Sequence, residues 1–134
     1  MSNIVNDVVE DYIRHTLKDA DGLLKELEVF AEENSVPIVH KEVSDLLKVL
    51  LKMQKPQRIL EVGCAIGYSS ILFATTCEDN VDITTCERNP VMIERAKENI
   101  KRAGFENNIR IIAAITQKIV DQLMQRWIDF FSLS

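Results

Sequence analysis

Two glutamates and two glycines stand where they could hold a small ligand. They lie in and just beyond Ile59-Leu60-Glu61-Val62-Gly63-Cys64-Ala65-Ile66-Gly67-Tyr68-Ser69-Ser70. Glu61 falls at the end of an apolar run, and Gly63 and Gly67 then carry the chain through a turn. A second carboxylate, Glu87, closes the β-rich run Val81-Asp82-Ile83-Thr84-Thr85-Cys86, 24 residues beyond Gly63. Glycine lets a backbone approach a ligand closely and adopt positive φ. Adjacent parallel strands lie about 4.8 Å apart, so acidic residues ending two of them can border one crevice. Open α/β sheets bind ligands beyond the carboxyl ends of their strands, where this turn falls. A carboxylate so placed can accept two hydrogen bonds from a ribose diol.

Two nucleotide readings compete for this pattern. A dinucleotide site uses G-x-G-x-x-G, with a helix N-terminus against the pyrophosphate. Here the spacing is G-x-x-x-G, and Glu61 precedes it. A carboxylate beside a pyrophosphate is repelled, whereas one beside an ammonium or sulfonium is attracted. That charge logic asks for a ligand with a cationic end and a ribose, and S-adenosylmethionine meets both demands. A nicotinamide-dependent dehydrogenase remains as a weaker alternative.

The elements that must position these residues follow from periodicity. Before residue 56 the pattern is helical. Val5, Val8, Val9, Tyr12, Ile13 and Leu17 form one stripe, and Leu23, Leu24, Leu27, Phe30 and Ala31 form a second. Pro37 breaks the second helix, and a third runs from about Lys41 to Lys52. After Pro56 strands and helices alternate: a strand over Arg58 to Val62, a helix over Ser69 to Cys77, and a strand over Val81 to Cys86. Next comes a helix begun by Asn89-Pro90 and ended at Gly104. A strand over Ile109 to Ala114, a helix over Gln117 to Gln125 and a fourth strand over Ile128 to Leu133 complete the pattern. Such alternation over short connections predicts a parallel sheet. The organisation expected is a helical cap over residues 1–55 and an α/β half-sheet over residues 56–134, forming one unit.

From about Pro37 through Ile112 the sequence resembles the S-adenosylmethionine-dependent O-methyltransferases of the catechol and caffeoyl-CoA group. The matching residues are Arg58-Ile59-Leu60-Glu61-Val62-Gly63, Gly67-Tyr68-Ser69-Ser70, Thr85-Cys86-Glu87-Arg88-Asn89-Pro90 and the helix from Ile93 to Ile100. The resemblance implies a Rossmann-like class I methyltransferase fold with a partial parallel sheet. It implies that Glu61 and the backbone from Gly63 to Gly67 border the methionine moiety. By the same carry-over Ser69 bonds its carboxylate end, Glu87 takes the ribose hydroxyls, and Val39 folds over the cofactor. Two departures stand out. Ala114-Ile115 occupy the place of the family's glycine-aspartate pair near the adenine, and Ser134 falls where the family has a metal-binding aspartate. A divalent cation is therefore expected of the family, but its ligands are not found in this sequence. The expectation is cofactor binding with weak or absent catalysis by these 134 residues.

The remaining features narrow the function by exclusion. Sixteen basic against twenty-one acidic residues give a net charge of −5, which disfavours a broad nucleic-acid or anionic-membrane face. The apolar runs fall far short of the roughly 18–20 residues that span a bilayer, and no secretory signal opens the chain. Cys64, Cys77 and Cys86 lack metal-type spacing and are read as reduced thiols of a cytoplasmic protein. Cys64 has no histidine near it in sequence to activate it, so packing is its expected role. His15 and His40 are read as surface or interface residues and Asp129 as structural. The charged helix around Lys97 and Arg102 is read as a solvated face, with Glu98 and Arg102 paired. Phe130-Phe131, placed on a terminal edge strand, point to a homodimer. A non-catalytic scaffold or dimerisation module is thus the alternative to an enzyme acting on a small-molecule acceptor.

Overall fold

A computed structural model describes residues 7–9, 12, 22–78, 80–113 and 117–132. Residues 7–9 and 12 are helical; the rest of the stripe expected over Val5 to Leu17 lies outside the described residues. The elements that follow are α1 (Gly22–Glu33), α2 (Lys41–Gln54), β1 (Arg58–Val62), α3 (Tyr68–Thr76), β2 (Asp82–Glu87), α4 (Pro90–Ala103), β3 (Ile109–Ala113) and α5 (Gln117–Ser132). The three strands pair in parallel in the order β1-β2-β3.

Side chains alternate across a strand, so each strand divides its residues between two faces. Ile59, Ile83, Ile109 and Ile111 point to one face, where they join a cluster with Ile71, Leu72 and Ala74 of α3 and Ala96 and Ile100 of α4. Leu27 and Ala31 of α1 belong to the same cluster. Polar ties reinforce it. The Tyr68 hydroxyl donates to Glu28 of α1 at 2.7 Å, and the Arg95 guanidinium lies 4.7 Å from the centre of the Phe30 ring. The Arg102 guanidinium donates two bonds to Glu26, at 2.9 and 2.8 Å. That fork replaces the expected pairing with Glu98, because a planar guanidinium meets both oxygens of Glu26 across the helix interface.

The start of α4 follows the expected chemistry. The Asn89 side-chain oxygen accepts from the amides of Val91 and Met92, and Pro90 occupies the first turn, where its missing donor leaves no bond unmade. The cap fixes where β2 stops and α4 begins. Glu87 is thereby held at the strand end.

One expected element is absent. Residues 128–132 are not a fourth strand; α5 continues through them from Gln117 to Ser132. Ile119, Leu123, Trp127 and Phe131 recur at four-residue intervals, and neither glycine nor proline interrupts the segment. Helical periodicity therefore outweighs the β preference of the aromatic run. Among the described residues the outer strands of the sheet are β1 and β3, not a segment at Phe130.

Candidate functional site

The pairing register sets the geometry at the carboxyl ends of the strands. Glu61 is opposite Thr85, and Val62 opposite Cys86. The Thr85 hydroxyl donates to Glu61 Oε1 at 2.7 Å, and the Ser70 hydroxyl donates to the same oxygen at 2.6 Å. Thr85 and Ser70 are themselves fully buried. Burial raises the Glu61 carboxyl above the ordinary carboxylate range; the two hydroxyl donors oppose that, and the nearby negative charge of Glu87 adds to it. A partly desolvated carboxylate held by two neutral donors is short of a positive partner.

Glu87 lives in the opposite regime. Its Oε1 accepts from the amides of Arg88 at 2.8 Å and Asn89 at 3.1 Å, and its Oε2 accepts from the amide of Ala65 at 2.9 Å. Burial alone pushes this group upward, but the amides of Asn89, Ala65 and Arg88 and the Arg88 charge outweigh it. The net shift is downward. Glu87 is thus an ionised acceptor, while Glu61 is the group whose charge is incompletely compensated.

The loop from Gly63 to Gly67 bends between these carboxylates. Gly63 has φ +87°, its amide donates to the Cys86 carbonyl at 2.7 Å, and a Cβ added to it would meet no atom within 4 Å. Its α-carbon faces open space. Gly67 also has φ +87°, but a Cβ there would come to 3.4 Å from the Ala96 α-carbon. The two glycines do different work: one leaves room at the crevice, the other lets α3 and α4 meet. Between them Ile66 is fully buried, and its carbonyl accepts from the Asn99 side chain at 2.9 Å.

Of the residues singled out from sequence, Glu61, Gly63, Gly67 and Glu87 converge on this end of the sheet. Ser69 stands at the second position of α3 and is half-buried. Val39 lies in the segment leading into α2 and packs, half-buried, against the main core cluster. Cys64 is buried, and its thiol is pushed up to about 12, first by burial and then by the Glu61 charge. It is a packing residue, not a nucleophile. Sequence reasoning passed over Ser70, Thr85, Ala65 and Asn99. Thr85 had a signal, because it precedes Glu87 by two residues and so shares its strand face.

A cavity of about 1140 Å³ lies elsewhere, along α4 and β3 between Glu94, Lys97, Ile100, Ile109 and Ile111. None of the four converging residues lines it.

The strand-tip arrangement can be set beside known proteins. The model of a family described as O-methyltransferase matches residues 14–132. The chain belongs to the O-methyltransferase family. A catechol O-methyltransferase of Niastella koreensis is 30% identical over 127 residues, which are 93% of this chain and 58% of the relative. Among solved structures, a candidate caffeoyl-CoA O-methyltransferase from Staphylococcus aureus is 43% identical with a TM-score of 0.66. That match covers 78% of this chain and 48% of the other. The Bacillus cereus O-methyltransferase, solved in complex with SAH (S-adenosylhomocysteine), is 25% identical with a TM-score of 0.70, covering 88% of this chain and 53% of that one. The chain spans about half the length of these family members. The fold is the Rossmann-like α/β architecture of this group, with three of its parallel strands among the described residues.

Ala114-Ile115 and Ser134, the two departures from the family pattern, lie outside the described residues. Among the described residues no cluster of three or more His, Cys, Asp or Glu side chains could hold a metal ion. Nor is any described helix long and apolar enough to cross a membrane.

Proposed function

We propose that this chain binds S-adenosylmethionine and serves O-methyl transfer to a small hydroxylated acceptor. The observation that carries the reading is the contrast between two carboxylates at neighbouring strand tips. Glu61 is partly desolvated and short of a cation, while Glu87 is ionised and exposed enough to accept further hydrogen bonds. A ligand with an ammonium near a ribose suits that division. Glu61 takes the ammonium of the methionine moiety, Ser69 bonds its carboxylate, and Glu87 takes the ribose diol. Gly63 leaves the space in which the backbone can lie against the ligand, and Val39 covers it from the segment before α2. S-adenosylmethionine, when bound, supplies a methyl group on a positively charged sulfur. The chain contributes binding and orientation, which is where proximity accelerates a bimolecular transfer.

Calorimetric titration with S-adenosylhomocysteine tests this reading. Saturable heat at one site is expected, with none for a nicotinamide dinucleotide, whose pyrophosphate would meet Glu61. No heat with either nucleoside form of the cofactor, or binding of the dinucleotide instead, would overturn it.

Residues 1–55 act in this proposal as a cap, through the packing of α1 and α2 against α3. The three free thiols suit a reducing, cytoplasmic setting. A second copy of the chain is the protein partner we propose, at a surface other than the one expected from sequence. Val43, Leu46, Leu50 and Met53 of α2 are 44%, 58%, 44% and 72% exposed, in the three-four-three spacing of a helix-pairing seam. Sedimentation should give a mass that rises with concentration; a monomer throughout would contradict it.

A further inference from the structure

The loop at the candidate site carries an unusual demand. Ala65 adopts a left-handed conformation, φ +46°, between Gly63 and Gly67, which both have φ +87°. For the glycines this is easy, but for alanine the side chain opposes it. Something must hold it there. The amide of Ala65 points at Glu87 Oε2, 2.9 Å away and 22 residues along the chain. The other cross-links of this stretch are neutral: Gly63 amide to Cys86 carbonyl at 2.7 Å, Gly67 amide to Cys64 carbonyl at 2.7 Å, and Asn99 side chain to Ile66 carbonyl at 2.9 Å. The bond at Ala65 alone among them is charge-assisted, the stronger kind. It also ties β1's loop to the end of β2, so it sets the loop against the second carboxylate.

We infer that Glu87 is a positioning residue for the Gly63–Gly67 loop, clamping Ala65 in its left-handed conformation before any ligand arrives. Its Oε1 is anchored by the start of the segment leading into α4, so the carboxylate cannot swing away without breaking two further amide bonds. The anchor makes the clamp rigid. A carboxylate oxygen has two lone pairs, so Oε2 can keep Ala65 and still accept from a ribose hydroxyl. Loop shape and ribose recognition then depend on one side chain. The link to ribose rests on the cofactor reading above; the clamp itself does not.

The test is amide NMR on the ligand-free chain across acid pH, with S-adenosylhomocysteine added afterwards. The Ala65 amide proton should shift with the ionisation of Glu87, in the window below the ordinary carboxylate range. The charged and titratable groups that interact with Glu87 are Arg88, Glu61, Cys64 and Cys86. Burial holds the Cys64 and Cys86 thiols above their ordinary value, so they stay neutral in acid, and Glu61 changes above that range, so the responses separate. In Glu87→Gln the low-pH shift should vanish and Ala65 should exchange with solvent about tenfold faster, as expected for loss of a charged acceptor. An Ala65 shift indifferent to Glu87 ionisation in the native chain overturns the clamp, and this readout needs no variant. If that shift is present and S-adenosylhomocysteine fails to bind, the clamp stands and the cofactor reading falls. If the nucleoside binds and Ala65 is indifferent, the clamp alone is wrong.

Discussion

Glu61→Gln should weaken binding of S-adenosylmethionine by about ten- to a hundredfold, the worth of a hydrogen bond to a charged group. The substitution keeps the shape of the side chain, and its amide oxygen can still accept from Ser70 and Thr85. What it removes is the charge. The effect should therefore fall on affinity and not on folding. Burial, opposed by Ser70 and Thr85, raises the Glu61 carboxyl above its ordinary value. The native state thus holds a proton that the unfolded state has already released, and this group's contribution makes stability decline as pH rises through that window. Glu61→Gln abolishes that decline, so the variant should be at least as stable as the parent at neutral pH. Ligand affinity in the parent should climb with pH over the same window, because only the carboxylate attracts an ammonium. Titrations at several pH values, with parent and variant side by side, read both effects. Equal affinities for the two proteins would remove Glu61 from the site.

The second large effect separates the two glycines. Gly67→Leu should lower stability by about 2–5 kcal/mol, combining the strain of a left-handed side chain with overpacking against α4. A Cβ at that position already touches Ala96, so every atom beyond it must displace the helix. Gly63→Leu meets no such obstacle, and only the backbone strain of about 1–2 kcal/mol applies. Its side chain instead enters the space proposed for the ligand. Thermal unfolding should show a fall of about 10 °C for Gly67→Leu and a smaller one for Gly63→Leu. Calorimetry should show that Gly63→Leu has lost the cofactor. Matching unfolding midpoints would mean that α3 and α4 do not depend on Gly67 for their approach.

Much of this site was legible because its signals are local. Glu61, Gly63 and Gly67 announce a strand end, a turn and a helix start within seven residues. Asn89-Pro90 marks the next helix by side-chain chemistry that needs no knowledge of the fold. Ser70 and Thr85 were not legible in this way. Their role depends on register, since Thr85 meets Glu61 only because β1 and β2 pair in parallel with those two residues opposite. The engagement of Glu87 with Ala65 was hidden for the same reason. It arises from a backbone amide, which no residue type advertises. The end of α5 was misread because Trp127, Ile128, Phe130 and Phe131 favour strands individually, while their spacing extends a helix already begun. Arg102 chose Glu26 over its helical neighbour Glu98 because α1 lies against α4, a tertiary fact with no local trace.

The central claim is that two carboxylates of unlike electrostatic character divide one ligand between them. A crystal structure of the chain grown with S-adenosylhomocysteine examines it most directly. The expected result places the ligand's ammonium within hydrogen-bond distance of Glu61 and a ribose hydroxyl on Glu87 Oε2, with the backbone of Gly63 lying against the ligand. A nucleoside seated instead in the groove between α4 and β3, or turned so that its ribose faces Glu61, would contradict the account.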